Sequence, residues 1–203
     1  NLTETFEPRG LMIEEARTNF FGLDRTHFDV LHFRQNGGTD PNVQITAPDG
    51  TNTAQVYGCS STAANTQFRI STNSNTNFTA QQTVSFYAKK VVDDPVTIHA
   101  DFNDYVQNTF VLTNEWKRYT LTAVPHNYGF HFLDFAITNK TGDQLVALWG
   151  AQLEIGSFAT SYIYPTANGT SVSTTRSADL VSISDDNFGT YRTNLIDKSN
   201  DFD

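Results

Sequence analysis

An all-β fold, a sandwich or a barrel, is predicted for this 203-residue chain by three observations. Aromatic residues, Thr, Ser and Asn are abundant, with 16 Phe and 8 Tyr, while the helix-filling residues Lys, Glu, Ala and Leu are thin. Short apolar stretches recur at regular spacing with Gly, Pro, Asn and Asp between them. No long 3.6-residue apolar period runs through the sequence, which excludes βαβ units. The length suits a single well-buried core.

In chain order, Phe6 to Phe21 carries the apolar run Leu11-Met12-Ile13 after the breakers Pro8 and Gly10. It reads as a strand followed by an extended linker, with a short helix as the open alternative. Arg17 follows Glu14 and Glu15 closely, an arrangement in which an arginine pins a loop by bidentate pairing. His27 to Gly38 alternates roughly and stops at Asn-Gly-Gly, so it predicts a strand and a turn. Val43–Thr46 and Thr53–Tyr57 are strands around the turn Ala47-Pro48-Asp49-Gly50, where Pro presets one torsion and Gly permits a positive one. The polar stretch from Ser60 to Thr79 is interrupted by Gln67–Ile70, and its Asn/Ser/Thr tract reads as an exposed or binding loop.

Thr83–Lys89 alternates cleanly, Val84, Phe86 and Ala88 on one face and Ser85, Tyr87 and Lys89 on the other. Val96–Phe102, Thr109–Leu112, Trp116–Ala123, Phe130–Ile137 and Leu145–Leu153 continue the series. The most informative stretch is Leu148–Pro165. An apolar run with one tryptophan drops a single carboxylate, Glu154, turns at Gly156 and Ser157, and ends in an aromatic tail. It reads as the last core strand, against which the earlier strands close.

Charge and motifs exclude several function classes. A net charge of −9 with no basic patch argues against a nucleic-acid surface, and no apolar run is long enough to cross a membrane. Cys59 is the single cysteine, so neither an internal disulfide nor a cysteine metal site is available, and it reads as a small buried residue. The chain begins at Asn1 with neither a methionine nor a signal peptide, as a processed or excised piece would. The histidines 27, 32, 99, 126 and 131 lack zinc-site spacing, and no Gly-x-Ser-x-Gly elbow is present. Sugar cleavage would need two carboxylates across a cleft. Asp93, Asp94, Asp101, Asp104 and Asp134 supply acids, but loops of β-proteins carry such residues routinely, and no enzyme is expected. Sequons at Asn1, Asn77, Asn139 and Asn168 would matter only in a eukaryotic secretory route.

GLMIEEARTN at 10–19, APDGT at 47–51, VSFYAK at 84–89, NEWKRYTLT at 114–122, WGAQLEIGSFATSYIYPT at 149–166 and TRSADLVSI at 175–183 occur together and in this order. In them the chain resembles a module of bacteriophage tail-fibre and other virion proteins that looks like a carbohydrate-binding module. The resemblance implies an all-β, two-sheet antiparallel β-sandwich of the jelly-roll type. It spans residues 10–183, leaving 1–9 as an N-terminal extension and 184–203 as a linker or the start of a following repeat. It also implies a place on the virion surface, outside the cell. Phage fibres are commonly trimeric, so a homo-oligomer is an expectation, although no heptad repeat is present.

Two functions follow as expectations: a non-catalytic carbohydrate-binding module of a tail fibre or adhesin that recognises host-surface glycans, or a structural or decorating virion module that meets only neighbouring virion proteins. Sugar binding needs exposed rings that stack on a pyranose, together with polar groups that read its hydroxyls. Tyr105, Tyr128, Phe130 and His131, in or beside polar loops, are the candidates, whereas Trp116 and Trp149 lie inside strands and read as core. Jelly rolls of this kind often hold a structural calcium, for which Glu15 and Glu154 are candidate ligands if the first and last strands are neighbours. The competing reading pairs one of them with Arg17.

The sequence also resembles itself. RTNFFGLDRTHFD at 17–29 and RTNLIDKSNDFD at 192–203 share Arg-Thr-Asn, an apolar pair and a Phe-Asp end. A repeat about one domain length apart predicts a tandem array.

Overall fold

The computed structural model describes residues 14–21, 38–39, 43–59, 66–71, 79–103, 106–124, 131–137, 144–165 and 173–179. All secondary structure among the described residues is β: β1 (Arg17–Asn19), β2 (Gly38–Thr39), β3 (Gln44–Ile45), β4 (Ala54–Cys59), β5 (Thr66–Ser71), β6 (Gln82–Lys90), β7 (Val96–Phe102), β8 (Val106–Leu112), β9 (Lys117–Ala123), β10 (Phe132–Ile137), β11 (Gln144–Ile155) and β12 (Thr174–Arg176). One compact unit, Ala16–Ser177, contains all these strands. A second comprises Asn1–Glu15 and Ala178–Asp203, and in it the Asp179 amide donates to the Glu14 carbonyl (2.9 Å). The expected boundaries after residues 9 and 183 lie outside the described residues.

Every pairing is antiparallel. A six-stranded sheet runs in the order β2-β4-β11-β6-β9 with β3 also on β4, and a four-stranded sheet runs β5-β10-β7-β8. From β4 to β11 only β7 and β8 are consecutive strands in one sheet; at every other connection the chain changes sheet. With β1 and β12 as a separate two-stranded pair, these two sheets make the jelly-roll sandwich expected.

The core lies between the two sheets because alternation sends one face of each strand inward. Val84, Phe86 and Ala88 of β6 meet Ile98, Ala100 and Phe102 of β7 and Leu133, Phe135 and Ile137 of β10 in a single buried cluster. Phe86 is its hub, edge-on to Phe135 at 4.6 Å and stacked on Tyr119 at 5.7 Å. Complete burial of such a ring contributes about 1.5–3 kcal/mol.

β11 does not alternate. Trp149 pairs with Tyr87 and Gln152 with Ser85, so β11 carries one extra residue in a β-bulge. Gly150 sits in it at φ 63°, a conformation glycine adopts without steric cost. The bulge resets the parity of the strand: Val146 and Leu148 before it, and Ala151 and Leu153 after it, all enter the main core. Trp149 belongs to a separate small cluster with Ala47 and Ala54.

One expectation at the ends of the module changes. Arg17–Asn19, expected in a linker, is strand β1 paired with β12, Thr18 opposite Thr175. β11, expected as the last core strand, is the last strand of the two large sheets and lies inside its sheet between β4 and β6; β12, which follows it, pairs with β1. The strands expected at Leu11–Ile13 and His27–Gly38 lie outside the described residues except for the backbone of Gly38.

Candidate functional site

After β11 the chain turns at Gly156 and returns as Ser157–Pro165, tied back by side chains of β11 itself. Glu154 is fully buried. Its carboxylate accepts hydrogen bonds from the Thr160 amide (3.1 Å), the Thr160 hydroxyl and the Gln152 side-chain amide (2.6 Å). The Gln152 carbonyl oxygen in turn accepts the Ile163 amide at 2.7 Å. From β9, Arg118 donates to the Thr160 carbonyl (2.6 Å) and to the Ser85 hydroxyl (2.9 Å). A buried carboxylate engaged by several donors holds the returning segment in place.

That segment completes an aromatic cluster. Trp149 is buried, its indole N–H donating to the Thr53 hydroxyl (3.0 Å), with ring centres of Tyr162 at 4.6 Å, Tyr87 at 5.5 Å and Tyr164 at 6.2 Å. Tyr162 and Tyr164 meet edge-on at 4.9 Å. Trp116 packs partly buried at the margin, its N–H on the Thr46 carbonyl (3.0 Å) and the Lys89 ammonium 5.0 Å from its ring centre. Tyr164 is 49% exposed, so the cluster grades from a dry base to a wet ring.

Beside Tyr164 stands Asp49, in the turn predicted from Ala47-Pro48-Asp49-Gly50. One carboxylate oxygen accepts from the Thr51 amide (2.9 Å) and hydroxyl (2.7 Å), the other from the Tyr164 phenol (3.3 Å). Partial burial alone would raise the Asp49 carboxyl, but the hydrogen bonds from Thr51 and Tyr164 outweigh it and leave it below its ordinary value of 3.8. The Tyr164 phenol is raised, by desolvation first and by the Asp49 carboxylate second. A rigidly backed ring next to an ionised acceptor can stack on a sugar face and take a hydroxyl hydrogen bond.

Of the ring residues expected from the sequence, Tyr105, Tyr128 and Phe130 lie outside the described residues. His131 is fully buried, its Nδ1 3.0 Å from the Asn103 side-chain amide and its ring 6.3 Å from that of Phe102, so it turns no face to solvent. Glu15 is exposed. Calcium takes six to eight oxygen ligands. Glu154 is instead surrounded by an amide N–H, an amide NH₂ and a hydroxyl, which is a donor set for a carboxylate and does not fit a calcium shell. Among the described residues no group of three or more His, Cys, Asp or Glu is placed to hold a metal. Of the candidate acids, Asp101 and Asp134 are cross-strand neighbours on β7 and β10, Asp93 and Asp94 lie in an exposed turn, and Asp104 lies outside the described residues.

Tyr164, Tyr162 and Asp49 were not singled out by the sequence reading. The available signal was the ring density of Trp149, Phe158, Tyr162 and Tyr164 within one short stretch.

No protein-family model and no curated protein matches the chain. Among solved structures it is similar to an exo-β-agarase, at 10% identity over 68% of this chain and 25% of that one, with a TM-score of 0.52. It is also similar to a CBM61 module in complex with β-1,4-galactotriose (15% identity, 59% of this chain, 81% of that chain, TM-score 0.42). A third similarity is to the enzymatically active domain of bacteriophage CBA120 tailspike protein 4 (13% identity, 58% of this chain, 18% of that chain, TM-score 0.41). At these identities the likeness is one of fold, and this chain spans about a quarter of the agarase's length.

Proposed function

We propose that this chain is a non-catalytic carbohydrate-binding module, carried by a bacteriophage tail fibre or adhesin, that recognises glycans on the host surface. The observation that carries the reading is Tyr164: a half-exposed ring held against Tyr162 and Trp149 and hydrogen-bonded to Asp49. Rings locked in advance lose little freedom on binding, so stacking energy is retained as affinity. Tyr105, Tyr128 and Phe130 form a second candidate set. The phage setting is supported by the sequence resemblance.

A glycan array probed with the purified chain tests this. We expect binding to a subset of glycans, weakened about tenfold by Tyr164→Ala, as loss of a stacking ring worth about 1.4 kcal/mol requires. Tyr128→Ala and Phe130→Ala assign the second set in the same assay. Silence on all glycans, or binding untouched by all three substitutions, overturns the reading.

A further inference from the structure

The Arg-Thr-Asn triplet that the sequence repeats is, in its first copy, a plug with a fitted seat. The Arg17 guanidinium fills the space beside Gly156 where any Cβ would stand, and lies 5.1 Å from the ring centre of Phe158. The hydroxyls of Thr18 and Thr175 are 2.8 Å apart across the β1–β12 pair. Asn19 is fully buried, its oxygen accepting the amides of Leu153 (3.2 Å) and Phe21 (3.0 Å), its nitrogen donating to the Ile163 carbonyl (3.3 Å). The Phe20 amide donates to the Leu153 carbonyl at 2.8 Å; Phe21 enters the core, and Phe20 packs against it.

The second copy keeps the features that this seat reads. Arg192, Thr193 and Asn194 repeat the triplet, and Leu195 and Ile196 repeat the apolar pair. Five consecutive positions are matched, and they are the five that the seat engages.

We propose that Arg192–Ile196 of one copy occupies the β1 seat of a second copy of this chain, in place of that copy's Arg17–Phe21, joining modules head to tail by strand exchange. Both occupants offer the same hydrogen-bonding triplet, so exchange costs little in contacts, as is general when identical elements swap. The resident plug is tethered and carries two phenylalanines where the incoming one has Leu and Ile, so exchange is driven by concentration. Reciprocal exchange between two copies closes a swapped dimer, and one-way exchange makes larger rings or open filaments.

Sedimentation of the full chain over a wide concentration range tests the proposal. Assembly should rise with concentration and be lost in Asn194→Ala. Asn19→Ala weakens the resident plug and should shift assembly to about tenfold lower concentration, the equivalent of one or two buried hydrogen bonds. Because Asn19→Ala also strips buried hydrogen bonds from the fold, a second measurement leaves the resident plug intact. Two Cys59→Ser chains, one carrying Thr175→Cys and the other Thr193→Cys, are mixed under oxidising conditions, and a mixed disulfide dimer suppressed by Asn194→Ala is expected. A chain that is monomeric throughout with no mixed dimer, or assembly indifferent to Asn194→Ala, overturns the proposal.

Discussion

Gly156, Glu154 and Asp49 each hold a position that follows from one physical constraint. At Gly156 the backbone is at φ 139°, and a Cβ would run into the Arg17 guanidinium. Gly156→Ala is therefore expected to cost about 1–3 kcal/mol, through strain and displacement of Arg17, read as a lowered Tm by calorimetry. At Glu154 every observed partner donates. Glu154→Gln, nearly isosteric, sets an NH₂ against donors and should lose about 1–3 kcal/mol, whereas a calcium chelator should leave Tm unchanged. A chelator-induced fall in Tm would restore the calcium reading. Asp49 carries a pH dependence. Its folded pKa is depressed, so its stabilisation is fully present above the ordinary value of 3.8 and is lost as pH falls through the lower folded value. Acid unfolding followed by circular dichroism should show this step in the unaltered chain and not in Asp49→Asn.

Among the elements, β11 links core and surface. Its bulge at Gly150 lets Leu148 and Leu153, five residues apart, both face the core, while Gln152 and Glu154 remain free to tie down the returning segment. A Cβ on Gly150 would stand 3.3 Å from the Tyr87 ring and 3.4 Å from that of Tyr162 at a left-handed backbone. Gly150→Ala should thus lower Tm and disturb the tyrosines of the aromatic cluster together, visible as altered near-UV dichroism and a cost of about 1–3 kcal/mol. The strands themselves were legible. Thr83–Lys89 and Val96–Phe102 show period-two alternation and appear as β6 and β7 within a residue or so. Arg17–Asn19 was not legible as a strand, because three polar residues carry no apolar period and become a strand only by pairing with Thr174–Arg176, over 150 residues away.

For the whole molecule, the two sheets enclose one apolar core, and the aromatic cluster of Trp149 is a second, separate one. The glycan surface proposed at Tyr164 and the strand seat around Gly156 and the Ile163 carbonyl both use the stretch Leu148–Pro165. Glycan binding and head-to-tail assembly are nevertheless separable, since Tyr164→Ala touches the first and Asn194→Ala the second. A multivalent display built by such assembly would multiply weak sugar contacts into firm attachment.

Composition and alternation determined that this chain is all-β, where most of its strands run, and that Asp49 sits in a tight turn, because these are set by neighbours along the chain. The motif at Leu148–Pro165 was visible as a unit in the sequence, including its lone carboxylate. Tertiary structure alone decided what that carboxylate does, that His131 is buried, that Tyr164 is exposed, and that Arg-Thr-Asn is a plug. Each of these depends on which groups arrive from distant parts of the chain to donate a hydrogen bond, exclude water or leave a ring uncovered, and no local pattern encodes that.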